Sequence, residues 1–450
     1  MSSAIFEKMP VPKLFWYCVL PGSVSMLSAS LYIVIDGMFV GHYMGSYSLA
    51  AISLMWPLLA VFFSFSDLIT AGSAVQIGIY LGKKSKIRAS RIFTSCILLI
   101  LFESIICGLG CYIFTDDFLI YIMNADEKTT AQGVSYTLSY CIFFPFVTLF
   151  HTSNAYLRLC GKQKFSMYLN VFVSILNLIL DYIFIVYLRQ GVWSASFTTC
   201  VSFAVGTLIG IYPFLRSQLD LRFCFGRFPL KLFFRMLFNG SSAFFTTNSW
   251  SILQLSVNSM LLSLGGSVAV GATAAVMYLN SVISMLLFGM SEALQPALSY
   301  CYGAKMLDRV WAIERKVLYT AASFSFIAFL ASELLGDYVV PLYAQEHDIA
   351  FMSMMSLCLK LIAFSFLVNW IEICLDVFLT ALDSPGRSFI ASILRTLIFP
   401  LGFLYICAPI MGLNGVWLAP TFAGIGSAVV SIYLARSLWI NRVRLFKVEI

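Results

Sequence analysis

Residues 50–84 read AAISLMWPLLAVFFSFSDLITAGSAVQIGIYLGKK, and residues 271–305 read GATAAVMYLNSVISMLLFGMSEALQPALSYCYGAK. Each is a long apolar run that opens after small residues and closes on a glycine, Gly82 or Gly303, with a lysine two residues on, Lys84 or Lys305. The shift that lays Lys84 on Lys305 superposes them, and the same shift lays GVWSASFTT (191–199) on GLNGVWLAP (412–420). Two distant matches in one register mean that the chain is built twice from one plan. About 20 mostly apolar residues suffice to cross a bilayer as a helix. Working outward, twelve runs of that kind are expected: 14–42, 52–80, 92–114, 133–157, 165–188, 192–215, 233–264, 271–301, 317–336, 353–381, 388–409 and 413–436.

Composition agrees. Of 450 residues, 60% are hydrophobic and 11% charged, against roughly 45–50% and 25% in an ordinary soluble domain. So few charges cannot cover the surface of a soluble protein, which excludes soluble enzymes, nucleic-acid binders and disordered chains. The fold class is an all-α polytopic membrane protein. Its expected parts are an amino-terminal six-helix lobe (1–215), a basic linker (216–235) and a carboxyl-terminal six-helix lobe (236–450), as parallel repeats about an axis along the membrane normal. The opening MSSAIFEKMPVPK lacks the pattern of a cleaved signal, so the first span is expected to stay.

The net charge of +7 follows topology. Twenty-four Lys and Arg fall in loops of one side and two, Lys128 and Arg189, on the other, with Lys360 and Arg395 within spans. That bias places both termini in the cytoplasm of an inner, cytoplasmic membrane. Acidic loops carrying Asp116, Asp117, Asp126, Glu127, Asp337, Glu346 and Asp348 mark the opposite side. The twelve cysteines form no C-x-x-C pair and read as small buried hydrophobes. No metal site is expected, and neither is nucleic acid. No catalytic motif argues for an enzyme.

A charge at the bilayer centre costs about 2.5–3.5 kcal/mol on insertion scales, so such residues need a reason. They are Asp36, Asp67, Glu103, Asp181, Glu292, Lys360, Glu372, Asp376 and Arg395. On the fifth span Asn170, Asn177 and Asp181 share a helix face. With Asp36 they offer oxygens for a relay of H⁺ or Na⁺, because two approaching carboxylates in low dielectric hold a shared proton. The plain alternative is that each Asp bonds backbone at a helix break. Tyr136, Asn154 and Thr199 are polar candidates on spans four and six that also serve as helix–helix contacts. On span ten Asn369, Glu372 and Asp376 share a face, with Glu372–Arg395 as a structural ion pair the alternative. Glu292 precedes Leu-Gln-Pro (294–296) and either caps that break or has a function; Asp67 and Glu103 are given no role. With 41 Phe and 18 Met, a cavity suited to apolar cations is permitted.

The chain resembles the multidrug and toxic compound extrusion (MATE) transporters, of the multidrug/oligosaccharidyl-lipid/polysaccharide exporter superfamily, over nearly its whole length. The stretches are LPGSVSMLSASLYIVIDGMFVGHYMG (20–45), SNAYLRLCGKQK (153–164), NLILDYIFI (177–185), EALQPALSYCYGA (292–304) and GLNGVW (412–417). The resemblance implies two lobes in a V and export of drug-like, often cationic, compounds driven by inward H⁺ or Na⁺, without another cofactor, by a chain expected to act as a monomer. It implies that Asp36 and Asp181 carry the coupling cation, Na⁺ included, with Asn177 and Thr199 as partners. Tyr136 and Asn154 match polar residues around that pocket, and Pro21 matches the bend of the first helix. Glu372 falls where one branch has a carboxyl-terminal-lobe Asp. Trp250 stands at that branch's acidic position on span seven and Ala29 at a polar position on the first helix, which argues against a complete second-lobe Na⁺ site. Asn170, Glu372 and Asp376 are expected with Tyr136 and Asn154 among the cavity's polar groups. H⁺ is favoured over Na⁺. A lipid-linked oligosaccharide flippase, or a dedicated exporter of a native metabolite or toxin, is the alternative; a flippase would want a cationic cavity.

Overall fold

The computed structural model describes residues 3–44, 46–123, 127–226, 229–340 and 349–448. Arg227, Asp126, Glu346 and Asp348, which entered the charge reading, lie outside them. All regular structure among the described residues is helical. The first half holds α1 (Val11–Met44), α2 (Ser46–Gly82), α3 (Lys86–Ile122), α4 (Glu127–Leu159), α5 (Gln163–Tyr187) and α6 (Trp193–Leu215). Next, helical hydrogen bonding runs through Leu230–Gly303, with one break at Gly266, whose φ of 66° and ψ of −163° are open to glycine. This break divides the run into α7 (230–265) and α8 (267–303). Then follow α9 (Leu307–Val339), α10 (Ile349–Ala381), α11 (Pro385–Met411) and α12 (Leu413–Val448).

Eleven stretches among the described residues are long and apolar enough to cross a membrane. The expected seventh span is not among them. On α7, Asn239, Ser242, Thr246 and Thr247 dilute the apolar run, and these side chains line an internal cavity rather than lipid. Helix α3 shows the amphipathic split of a span packed on one side. On α3, Phe102, Ile105, Leu109 and Ile113 are exposed along one stripe, while Phe93, Cys96, Ile100 and Cys107 are buried on the other. All twelve cysteines are free and ten are buried, as small core residues would be.

The repeat is visible in the backbone. Lys84 and Lys305, which the sequence register superposes, both take positive φ, 59° and 60°. Each ends its helix with paired bonds: Lys84 N to Leu81 O with Ser85 N to Tyr80 O, and Lys305 N to Tyr302 O with Met306 N to Cys301 O. Gly161 and Asp383 do the same for α4 and α10 at φ 73° and 53°. The lysine register would lay Gly161 on Leu382, one position short of Asp383. One residue has therefore been gained between these turns in the second half. Within each half the fourth and sixth helices pack together, α4 on α6 and α10 on α12.

The halves meet chiefly where α2 lies against α7 and α8. Near the lysine-bearing helix ends the backbones touch. A Cβ on Gly82 would sit 2.1 Å from Tyr300 O, one on Gly303 2.2 Å from Ile79 O, and one on Gly72 2.0 Å from Met236 O. This glycine seam closes the two halves at the basic end. Across it, Gln76 Nε2 donates to Asp383 Oδ1 at 2.7 Å, and within the second half Arg235 pairs with the same Asp383. The amino-terminal segment straps the same end. Ser3 donates backbone and side-chain bonds to Asp220 at 2.6 and 2.8 Å, while Arg309 donates to the carbonyls of Phe6 and Met9.

Candidate transport site

Two polar regions lie among the helices, and α1 touches both. The first lies inside the amino-terminal half. Asp36 comes from α1, Asn177 and Asp181 from α5, and Thr198 and Thr199 from α6. Asp181 is fully buried. Its Oδ1 accepts from Thr198 Oγ1, and its Oδ2 has no partner. Asn177 Nδ2 donates to Thr199 Oγ1 at 3.2 Å, leaving Asn177 Oδ1 without a partner. Asp36 Oδ1 is likewise buried and unpartnered, and the charges of Asp36 and Asp181 are within reach of each other. Three acceptor oxygens thus lack donors where such groups ordinarily have them, at a cost of about 1–3 kcal/mol each. A proton or a hard cation held by oxygens would supply what is missing.

Local sequence explains the placement. Directly after Asp181, α5 widens into a π-helical turn, Tyr182–Tyr187, an irregularity that re-aims side chains and recurs at functional sites. A Cβ on Gly37, beside Asp36, would meet nothing within 4 Å, so α1 has free space there. Tyr136 is buried, 5.5 Å ring to ring from Tyr140, and within reach of the Asp36 charge. Thr198 was not singled out by the sequence reading, which named its neighbour. The signal was present: Ser194, Thr198 and Ser202 recur every fourth residue, and all three are buried.

The second region is a cavity of about 440 Å³ between the halves. From the first half it is lined by Ser25, Met26 and Ala29 of α1, Asp67 of α2, His151, Asn154 and Arg158 of α4, and Asn170 of α5. From the second half come Asn239, Ser242 and Thr246 of α7, Phe288 and Glu292 of α8, Asp376 and Thr380 of α10, and Arg395 of α11. Asp67 and Glu292, half-buried, make neither a hydrogen bond nor an ion pair among the described residues. Glu292 caps no break, because α8 continues through Pro296. Asn154, Asn170 and Asp376 thus stand on the cavity; Tyr136 and Glu372, expected there too, do not line it.

The intramembrane ion pair is not Glu372 with Arg395. Arg395 Nη2 lies 3.2 Å from Asp376 Oδ2, and Asp376 also accepts from Ser242, Ser388 and Ser392 at 3.2–3.4 Å. Glu372 is buried with Oε2 unpartnered. Lys360 pairs instead with Asp337, at 2.9 Å. Glu103 accepts from Ser66 at 2.5 Å and from Cys107 at 2.9 Å. Pro21 is buried within α1, and its carbonyl accepts from Ser25 Oγ at 2.8 Å. A Cβ on the next residue, Gly22, would lie 2.5 Å from Ala293 Cβ, so the proline sits where α1 meets α8.

Compared with known proteins, the chain matches the MatE family model twice, at residues 21–183 and 243–406. It is 26% identical to the multidrug export protein MepA of Staphylococcus haemolyticus (strain JCSC1435), covering 99% of this chain and 98% of that protein. It is 25% identical to the MepA of Staphylococcus aureus (strain MSSA476), covering 96% and 95%. Among solved structures, a MATE crystal structure in the straight conformation superposes with a TM-score of 0.92 at 20% identity, covering 98% of this chain and 99% of that one. A mutant of the Vibrio cholerae MATE transporter VcmN superposes with a TM-score of 0.89 at 19% identity, covering 96% and 97%. These structures share the fold.

Proposed function

The chain belongs to the MatE family, and we propose that it is a secondary multidrug exporter that exchanges apolar, often cationic, compounds for H⁺ or Na⁺ by alternating access. The observation carrying this reading is the pairing of two polar regions, a cavity and a buried pocket, on one helix. Ser25, Met26 and Ala29 of α1 line the inter-lobe cavity. Further along the same helix, Asp36 offers an unpartnered oxygen to the first-lobe pocket. The names of the MepA relatives, which match over nearly full length, agree with it.

The compound occupies the cavity, where Asp67 and Glu292 receive a cationic group and Met26 and Phe288 receive apolar surface. The coupling ion occupies the first-lobe pocket, on Asp36, Asp181 and Asn177. Loading that pocket removes the unmet demand of three oxygens and so changes where α1 is most stable. Pro21, which breaks the helical bond ladder of α1 at its contact with α8, is where α1 would bend and pass the change to the cavity. H⁺ is favoured over Na⁺, because two carboxylates in reach of one another suffice to hold a proton. In this reading the basic end faces the cytoplasm, both termini lie there, and the chain works as a monomer without a cofactor beyond the coupling ion. A lipid-linked oligosaccharide flippase fits less well. The arginines of the cavity, Arg158 and Arg395, are outnumbered by Asp67, Glu292 and Asp376.

The test is Asp36→Asn in reconstituted vesicles. It is expected to insert and to melt within a few degrees of wild type while losing gradient-driven dye export. Wild-type export by the variant would sink the proposal.

A further inference from the structure

The repeat lets the two walls of the cavity be compared group by group. The register that lays Gly161 on Asp383 also carries Asn154, Ser166 and Asn170 onto Asp376, Ser388 and Ser392. The two clusters are wired alike. Asn154 Oδ1 accepts from Ser166 Oγ at 2.8 Å and from Asn170 Nδ2 at 3.0 Å. Asp376 accepts from Ser388 Oγ at 3.4 Å and from Ser392 Oγ at 3.2 Å. In the second half the cluster's carboxylate is balanced by Arg395, 3.2 Å away.

In the first half that balance is missing. The central residue is a neutral asparagine, yet an arginine is present: Arg158 donates from Nε to Ser166 Oγ at 3.3 Å. That bond fixes the guanidinium against the cluster and leaves both Nη groups uncommitted. Arg158 is half-buried, lines the cavity, and makes no ion pair among the described residues. It feels the field of Glu292 without pairing with it. His151 and Asn154 stand on the same face of α4, two turns and one turn back, and also line the cavity.

We propose that Arg158, set by Ser166 and Asn154, is an anion-binding subsite of the cavity, and that the favoured substrates are amphoteric, with a carboxylate or similar anionic group on Arg158 and a cationic group on Asp67 and Glu292. This rests on the reading of the cavity as the drug site. A planar guanidinium with two free Nη groups matches a carboxylate fork.

The test uses rhodamine B, which carries a free carboxylate, and its ethyl ester, which differs by masking it. Binding of each to the purified protein in nanodiscs is followed by fluorescence polarisation. Wild type is expected to bind the acid at least as tightly as the ester. Arg158→Gln is expected to weaken the acid about tenfold or more while leaving the ester unchanged, and Asp67→Asn to weaken both. Wild type holding the ester tenfold tighter than the acid overturns the proposal, and needs no variant to fold. So does an acid-to-ester ratio unchanged in Arg158→Gln. Wild type binding neither dye overturns the drug-cavity reading itself, and the subsite with it.

Discussion

Alanine at position 82 places a methyl carbon 2.1 Å from the carbonyl oxygen of Tyr300 and 2.8 Å from the amide nitrogen of Ala304. Both are backbone atoms of the facing helix end, so no side chain can swing aside. Ordinary contact begins at 3.4 Å, so α2 and α8 must part there by about 1.3 Å, the shortfall from 2.1 Å. Overpacking of that kind costs about 1–3 kcal/mol. The gain in helix propensity from Gly to Ala, up to about 1 kcal/mol, is present whether the seam is closed or open, and cancels between the two states. The strain falls on the closed state alone, and the equilibrium shifts toward opening about 5–150-fold. The assay is the distance distribution between nitroxides at Lys83→Cys and Arg315→Cys across the basic end, in nanodiscs. Gly82→Ala is expected to populate longer distances and slow export while retaining dye binding. Gly402→Ala, whose Cβ would meet nothing within 4 Å, is expected to match wild type. An unchanged distribution with wild-type export in Gly82→Ala would refute the seam as a gate.

The buried Asp376–Arg395 pair predicts that Asp376→Asn or Arg395→Met alone lowers stability by about 3–5 kcal/mol, and that Asp376→Leu with Arg395→Met recovers most of it; thermal unfolding in detergent checks both. Thr198→Val strands Asp181 Oδ1 and is expected to cost about 1–3 kcal/mol, with Thr198→Ser near wild type in the same measurement. Asp220 gives a pH signature. Burial pushes its carboxyl up, but Lys86 at 2.6 Å and the two Ser3 donors outweigh that and hold it below the ordinary carboxylate range. Its value is depressed by folding, so its contribution to the strap is complete above the unfolded value of about 3.9 and fades as pH falls through the folded one. Thermal stability of wild type and Asp220→Asn is therefore expected to differ by a constant amount from about pH 5 to 8 and to converge below about pH 4.

The spans could be read from hydropathy because lipid-facing helices cannot hide polar residues. The seventh, read as 233–264, is a helix over 230–265 that falls short of the others in hydropathy, and it turns Asn239, Ser242 and Thr246 to the cavity. The interval between the expected spans 233–264 and 271–301 is a single kink at Gly266, since one residue at positive φ redirects a helix without a loop. Of the carboxylates, Asp181 stood out by the helix face it shares with Asn170 and Asn177, and Asp36 joined it through the family resemblance. Which member of the Asn369, Glu372 and Asp376 face pairs with Arg395 was not legible, because helical spacing shares a face among all three and only the approach of α11 selects Asp376. Arg158 was counted with loop charges. Its place in the cavity depends on how far α4 reaches inward before Gly161 ends it.

The most direct test is dye efflux from vesicles holding the purified protein, with H⁺ and Na⁺ gradients imposed separately on wild type, Asp36→Asn and Glu372→Gln. The account predicts that one gradient drives wild-type export, that Asp36→Asn abolishes it and that Glu372→Gln retains it. Efflux by Asp36→Asn at the wild-type rate, or wild-type efflux indifferent to both gradients, would contradict it.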